Sequence, residues 1–198
     1  NAPLSDSDNW PRCVQLAWQL HDSKGVLISS HSYLIKPDNY NIPYESEKIH
    51  GISTALANKI GDDLVNVLDK FILDLNKSGF LIGHNVKFDL NIIGAELLRI
   101  NSAVSLLDKD ILDTCTELTA NVCKIPGGRG GKFKFPTLIE IYSFLFDDSF
   151  SEAHNASADV EATARVFFEL VRIGTINQSV FKGYPELSEG LRSYNESK

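Results

Sequence analysis

A histidine and an aspartate at H-x4-D spacing, His154 and Asp159, lie where a loop runs into a predicted amphipathic helix within residues 150–172. Asn155 or Ser157 can cap the start of this helix by accepting a backbone hydrogen bond. Its inward face is predicted from apolar residues at helical spacing: Val160, Ala164, Phe167, Phe168 and Val171. A base beside a metal-binding carboxylate is the combination that hydrolysis by an activated water requires. The alternative is a surface histidine with an aspartate that only stabilises the helix dipole.

A second carboxylate follows a short apolar strand in residues 83–93, GHNVKFDLNII. The strand ends at Gly83 and a helix begins near Asn85 or Val86, which places Asp89 on the first helical turn, facing the end of the strand. Asn85 can cap this helix or contact a ligand. Backbone N–H groups at a helix start favour an ionised carboxylate, and hence metal binding. The alternative is an ordinary capped helix with an exposed aspartate.

The elements that must position these residues begin with a β-hairpin. Alternating apolar residues predict one strand at 14–20 and a second over 26–35. Short helical turns are predicted at 41–60, with a break at Gly51, and longer helices at 62–77, 87–99, 114–122 and 137–146. Short strands are predicted at 80–83 and 110–114, and the first of these is of the buried parallel kind. The inner face of helix 87–99 is predicted from Phe88, Ile92, Ala95, Leu97 and Leu98. This order indicates a mixed α/β sheet flanked by helices, with a site beyond the carboxyl ends of its strands.

Residues 123–136, CKIPGGRGGKFKFP, interrupt the pattern with four glycines, two prolines and four basic residues. One interpretation is a flexible surface loop. The other is a basic loop that borders a substrate groove and contacts phosphates. Trp10, Trp18 and the phenylalanines are interpreted as core residues rather than as platforms for stacked bases.

Composition limits the classes of function. The chain has 198 residues, a net charge of −7 and 43% hydrophobic residues, which argues against coating nucleic acid by bulk attraction. Three cysteines without a C-x-x-C pair argue against a disulfide framework or a zinc site and favour a cytoplasmic setting. There is no membrane-length apolar run and no signal peptide pattern. We predict one domain over 1–174 and a tail over 175–198, with a short helix near 185–193.

These motifs resemble the DEDDh family of 3′–5′ exonucleases, which includes the proofreading epsilon subunit of bacterial DNA polymerase III. The resemblance begins with H-N-x-x-F-D after an apolar strand and H-x4-D at the start of a later helix. Three more segments extend it over about residues 10–173: Pro11–Ala17, which is similar to the second strand of the family, Ile49–Ser53, which reads IHGIS, and Asp113–Thr114. A chance match of all five segments in order is much less probable than a match of one.

The resemblance implies an RNase H-like fold and roles for five residues. Asp89 and Asp159 would be metal ligands, His154 the general base, and Asn85 and His50 neighbours of the terminal nucleotide. It implies two divalent cations, Mg²⁺ or Mn²⁺, that act on both oxygens of the scissile phosphodiester. The substrate would be a single-stranded 3′ end of DNA, with a DNA polymerase subunit as a further partner.

One departure concerns the family's first motif, D-x-E, which belongs to a strand upstream of Trp10. Asp6 and Asp8 lie in a loop setting and do not match it. In the family this strand is central, so its loss would leave two sheet fragments with facing unpaired edges. Since the chain has no Met, we expect the strand to be encoded immediately before Asn1, and the 198-residue chain to bind metal poorly and be inactive.

Two alternatives stay open at this point. The first is an exoribonuclease of the same fold that trims short RNAs, which would discriminate through contacts with the 2′-OH. The second is a catalytically inactive nuclease fold that serves as a binding module, which the missing carboxylates favour.

Overall fold

A computed structural model of the chain describes residues 6–149 and 155–181. The strands are β1 (Gln15–His21), β2 (Leu27–Leu34), β3 (Phe80–Gly83) and β4 (Asp110–Asp113). The helices are α1 (Tyr44–His50), α2 (Thr54–Ile60), α3 (Leu64–Lys77), α4 (Val86–Arg99), α5 (Glu117–Cys123), α6 (Leu138–Phe146) and α7 (Ala156–Arg172). Short 3₁₀ turns lie at Ser7–Asn9, Leu106–Asp108, Arg129–Gly131 and Gln178–Phe181. The helix predicted near 185–193 lies outside the described residues.

The first two strands form the predicted β-hairpin. β1 pairs antiparallel with β2 in a register that places Gln15 opposite Leu34 and Trp18 opposite His31. Every second residue of β1 is buried, as the alternating sequence predicts. One face of the hairpin therefore belongs to the core.

Three helices follow the hairpin. α1 and α2 are separated at Gly51, whose φ of 74° is a left-handed conformation that glycine adopts without strain. α3 begins at Asp63, whose side chain accepts a hydrogen bond from the backbone N–H of Asn66 at 3.1 Å. The apolar stripe that the sequence predicts for this helix is buried at Leu68, Phe71 and Leu75 and partly buried at Leu64 and Ile72.

The strand–helix–strand unit β3–α4–β4 brings two carboxyl ends to one edge. β3 pairs parallel with β4, from Phe80 opposite Asp110 to Gly83 opposite Asp113. Parallel strands require a crossover, which α4 provides. The residues that follow Gly83 and Asp113 therefore lie side by side.

The described strands form two separate two-stranded sheets, β1–β2 and β3–β4, which share the same helical layers. Trp18 of β1 and Leu81 of β3 belong to one apolar cluster with residues of α3 and α4. On the opposite face, Phe168 of α7 contacts His21 with ring centroids 5.4 Å apart, and Phe80 of β3 contacts Phe181 at 5.3 Å. The architecture is the predicted mixed α/β fold, and its two sheet fragments match the arrangement expected when a central strand is missing.

Burial in the β3–α4 region differs from the prediction. β3 was expected to be buried, yet Ile82 is 36% exposed, because no described strand covers the edge of β3 opposite β4. Phe88 and Leu98 of α4 were expected on the inner face and are 52% and 45% exposed. The inner face of α4 is rotated away from both residues and consists of Val86, Ile93, Ala95 and Leu97.

Two buried carboxylates connect the core elements. Asp74 of α3 accepts hydrogen bonds from Trp18 Nε1 and Ser29 Oγ, both at 3.0 Å, and pairs with Lys77 at 2.9 Å. This carboxylate therefore joins the hairpin to α3.

The second buried carboxylate is Glu96 of α4. It pairs with Arg12 at 3.0 Å and with Arg99 at 3.1 Å, and it accepts the backbone N–H of Cys13 at 2.7 Å. Glu96 therefore fixes the start of the hairpin on α4. None of the helices in the described residues is both long enough and apolar enough to cross a membrane.

Candidate active site

The candidate site lies at the carboxyl ends of β3 and β4. His84 and Asn85 follow β3, and Asp113 is the last residue of β4. Ligands of open α/β sheets bind beyond the carboxyl ends of the strands, so this edge is where the sequence places a site.

Asp113 holds the start of α4. Its Oδ1 accepts the backbone N–H groups of Asn85 and Cys115, both at 2.8 Å, and its Oδ2 accepts the N–H of Val86 at 3.2 Å. The backbone N–H groups at the start of a helix have no carbonyl acceptor within the helix. Both carboxylate oxygens of Asp113 accept such N–H groups, so Asp113 caps α4 from a neighbouring strand. The sequence analysis assigned Asp113 no role in the site, and its role here is to position the chain after β3.

Asn85 does not cap α4 with its own side chain, which was one of the uses the sequence allowed. It lies in the left-handed region with a φ of 59°, a conformation that asparagine tolerates better than most residues. Its side chain makes no capping hydrogen bond and is exposed. The amide is therefore available for a ligand at this edge.

Asp89 lies on the first turn of α4, as predicted. Its pKa is raised to about 6, first by the loss of hydration around the carboxyl group and then by the like charges of Asp113 and Asp159, while its own backbone N–H opposes the rise. The residue as a whole is exposed, so the loss of hydration is local to the carboxyl group. Asp159, which belongs to α7, is the last of these causes in size.

Asp159 lies on the first turn of α7, also as predicted. Of the two capping residues that the sequence offered, Asn155 is the one used, since its side chain accepts the backbone N–H of Ser157 at 3.1 Å. The start of α7, and with it Asp159, is therefore fixed locally.

The described residues at this edge offer oxygen ligands of the kind that a divalent cation prefers, but too few of them to complete a metal site. Asp89 and Asp159 supply carboxylate oxygens, which Mg²⁺ and Mn²⁺ prefer, and a cation would relieve their mutual repulsion. Asp113 is occupied by backbone N–H groups. Among the described residues, no group of three or more acidic, histidine or cysteine side chains is arranged to hold a metal ion. Asp89 and Asp159 are therefore the candidate ligands that the described residues offer at this edge.

His154, the predicted general base, lies outside the described residues, and its role stays a prediction. The described chain resumes at Asn155, which caps α7.

His50 lies at the end of α1, in the segment IHGIS. Its Nδ1 accepts the backbone N–H of Ile52 at 3.1 Å, while its Nε2 is buried without a hydrogen-bond partner among the described residues. Burial lowers the pKa of His50 and Glu47 opposes this, so the ring is neutral near pH 7 with the proton on Nε2. The charged group that acts on His50 is Glu47 rather than Asp89 or Asp159.

His84 is a residue at this edge to which the sequence analysis gave no role. Its Nδ1 lies 2.9 Å from Thr114 Oγ1, and its Nε2 lies 3.0 Å from the carbonyl of Pro136. Burial lowers its pKa, while the bond to the Pro136 carbonyl and the charge of Asp113 oppose this. Nε2 donates to the Pro136 carbonyl, and the Thr114 hydroxyl also donates to the carbonyl of Gly83 at 3.1 Å. His84 thus attaches the chain before α6 to the ends of β3 and β4. The sequence feature that could have indicated this role of His84 is its position as a polar residue directly after an apolar strand.

The fold and the site define a nuclease of the RNase H-like class. Among solved structures, Exonuclease X in complex with 5′ overhanging duplex DNA is similar with a TM-score of 0.55 and 16% sequence identity, over 90% of each chain. At that identity the likeness shows the fold.

The family is shown by sequence. The Exonuclease (RNase_T) family model matches residues 14–167, and the chain belongs to this family. Exonucleases of this family generally use divalent metal ions. No curated protein sequence matches the chain.

Proposed function

We propose that this chain is the exonuclease domain of a 3′–5′ exonuclease that hydrolyses nucleotides from DNA ends with two divalent cations, Mg²⁺ or Mn²⁺. One observation supports the proposal: Asp89 and Asp159 lie on the first turns of two different helices, and the charge of Asp159 contributes to the raised pKa of Asp89. Two carboxylates held together at the cost of repulsion are typical of a site for a cation.

Each residue would have a defined part in hydrolysis. Asp89 and Asp159 would hold the cations, and bound cations would supply charge neutralisation for the phosphodiester and acidify a nearby water. His154 takes the proton of that water. The exposed amide of Asn85 and the buried Nε2–H of His50 donate hydrogen bonds to the terminal nucleotide. Asp113 keeps α4 in place.

DNA is proposed as the substrate because the solved structure similar to this chain contains a DNA duplex with a 5′ overhang. An exoribonuclease of the same fold is the alternative, and matched DNA and RNA oligonucleotides distinguish the two. Proofreading beside a polymerase subunit, and a cytoplasmic location, remain predictions from the sequence.

We further propose that the 198-residue chain has little activity by itself. The first-motif aspartate and glutamate are absent from the sequence, and the described residues provide no cluster of three metal ligands. The same observation favours a second candidate function, an inactive nuclease fold used as a binding module.

The test combines Mn²⁺ binding, by titration calorimetry, with cleavage of single-stranded oligonucleotides labelled at either end. We expect weak Mn²⁺ binding that is lost in Asp89→Asn and in Asp159→Asn, and retained in the control Asp69→Asn, an exposed carboxylate of α3. Any cleavage should shorten the 5′-labelled strand stepwise and disappear in both variants. Mn²⁺ binding that neither variant changes would refute the metal site and leave the binding module.

A further inference from the structure

The segment between α5 and α6 is a closed, ordered loop. We refer to residues 124–135 as the aromatic–basic loop. The backbone N–H of Lys134 donates to the carbonyl of Ile125 at 2.8 Å, which closes the base of the loop. A Cβ at Gly128 would lie 2.3 Å from the carbonyl oxygen of Phe133, so the two sides of the loop touch through glycine. A backbone hydrogen bond and a close contact at glycine therefore hold the two sides of the loop together.

The aromatic–basic loop is anchored beside the candidate site. The carbonyl of Pro136, directly after the loop, accepts from His84 Nε2 at 3.0 Å and lies 3.6 Å from Cys115 Sγ. Lys132 pairs with Glu117 at the start of α5 at 2.7 Å. These contacts connect the loop to the chain that leaves β3 and β4, where Asp113 and Asp89 lie.

The sequence KFKF in the loop alternates basic and aromatic residues. Lys132 pairs with Glu117, and Lys134 pairs with Glu140 at 2.6 Å. Phe133 and Phe135 alternate with these lysines along the chain and take no part in the two ion pairs. They are 38% and 54% exposed, contrary to the expectation that the phenylalanines are core residues.

Two further basic residues of the loop form no ion pair within the described part of the chain. Lys124 and Arg129 are exposed, and no acidic side chain in the described part of the chain pairs with either. In a protein with a net charge of −7, this is a local positive surface beside two exposed aromatic rings. Aromatic rings for bases and cations for phosphates are the combination that binds single-stranded nucleic acid.

We propose that the aromatic–basic loop binds the single strand that leads into the site, with bases stacked on Phe133 and Phe135 and phosphates contacted by Arg129 and Lys124. This rests on the proposed function, since it supplies that site with its substrate. Residues two apart in extended backbone are separated by about 6.4–6.8 Å, close to twice the spacing of roughly 3.4 Å between stacked bases. The two rings can therefore engage bases of one strand together.

The experiment is fluorescence anisotropy of a labelled 12-nucleotide oligo-dT with the 198-residue chain in EDTA, where hydrolysis does not interfere. Replacing an exposed ring by leucine keeps its apolar character and removes stacking. We expect Phe135→Leu to weaken binding about 5-fold, the low end of the effect of base stacking, and the Phe133→Leu/Phe135→Leu double variant to weaken it more. Phe144→Leu, an exposed phenylalanine of α6, is the matched control.

The salt dependence of oligonucleotide binding distinguishes the contribution of the aromatic rings from that of the basic side chains. Arg129→Ala should reduce the slope of log affinity against log salt by about 0.7, the value for one phosphate contact on a single strand. Phe135→Leu should leave this slope unchanged, as should Lys59→Ala, an exposed cation of α2.

Three outcomes decide the proposal. It is overturned if the ring variants bind like the unmodified chain, or if Phe144→Leu loses as much affinity as they do. Binding that depends on the loop and persists in Asp89→Asn supports the loop even when Mn²⁺ binding and cleavage tests reject the metal site. If Asp89→Asn loses Mn²⁺ binding while the loop variants bind the oligonucleotide as tightly as the unmodified chain, the proposal for the loop is rejected and the metal site is retained.

Discussion

Removing the Asp113 carboxylate should destabilise the start of α4, because three backbone N–H groups depend on it. Asp113→Ala leaves the N–H groups of Asn85, Val86 and Cys115 without their acceptor. A lost helix cap costs about 0.5–2 kcal/mol, and a hydrogen bond to a charged group contributes about 1.5–3 kcal/mol. Since Asn85 is exposed and water can replace part of the loss, we expect about 3 kcal/mol for Asp113→Ala. Asp113→Asn keeps one oxygen acceptor, and we expect roughly half of that loss.

Urea unfolding followed by circular dichroism measures this effect. With a slope of about 1–3 kcal/mol per molar urea, Asp113→Ala should lower the midpoint by roughly 1–3 M at unchanged slope. Asp69→Asn serves as the exposed control. A second measurement is the pKa of Asp89 by NMR, which should fall in Asp113→Asn because the charge of Asp113 raises it. A midpoint for Asp113→Ala equal to that of the control would refute the capping role.

Two further predictions concern the buried carboxylates. The pKa of Asp74 is lowered to about 2, chiefly by Lys77 and then by Trp18, so its contribution to stability is fully present above about pH 3.8 and is lost as the pH falls through 2. Urea midpoints measured between pH 5 and 2 should therefore fall less steeply in Asp74→Asn than in the unmodified chain, and parallel curves would contradict this. Glu96→Ala breaks a buried ion pair and should cost about 3–5 kcal/mol in urea unfolding. A loss below about 1 kcal/mol would show that Arg12 and Arg99 find other partners.

Local patterns in the sequence were sufficient for the element order. The hairpin, the break at Gly51 and the cap at Asn155 follow from alternation, glycine conformation and side-chain capping, all of which act within a few residues. The placement of Asp89 and Asp159 on first turns was predicted for the same reason.

Features that depend on residues distant in the chain could not be predicted in this way. The cap of α4 comes from Asp113, 27 residues beyond Val86, and local sequence around α4 pointed to Asn85 instead. The exposure of Ile82 depends on what covers the sheet edge, and that of Phe88 depends on which face of α4 packs inward; periodicity reveals neither. The exposure of the rings in the aromatic–basic loop depends on the ion pairs that its lysines form with Glu117 and Glu140, which are distant in the chain.

Among the described residues, β1 and β3 each pair with one strand only, and this has a practical consequence for the isolated polypeptide. Neither QLAWQLH nor FLIG contains a lysine, arginine, aspartate or glutamate, the charges by which natural sheets discourage strand addition from other molecules. Concentrated solutions should therefore form oligomers through intermolecular β-pairing, and light scattering should increase with protein concentration. A lysine introduced at Ala17 would place a charge on one of these strands and should delay the association.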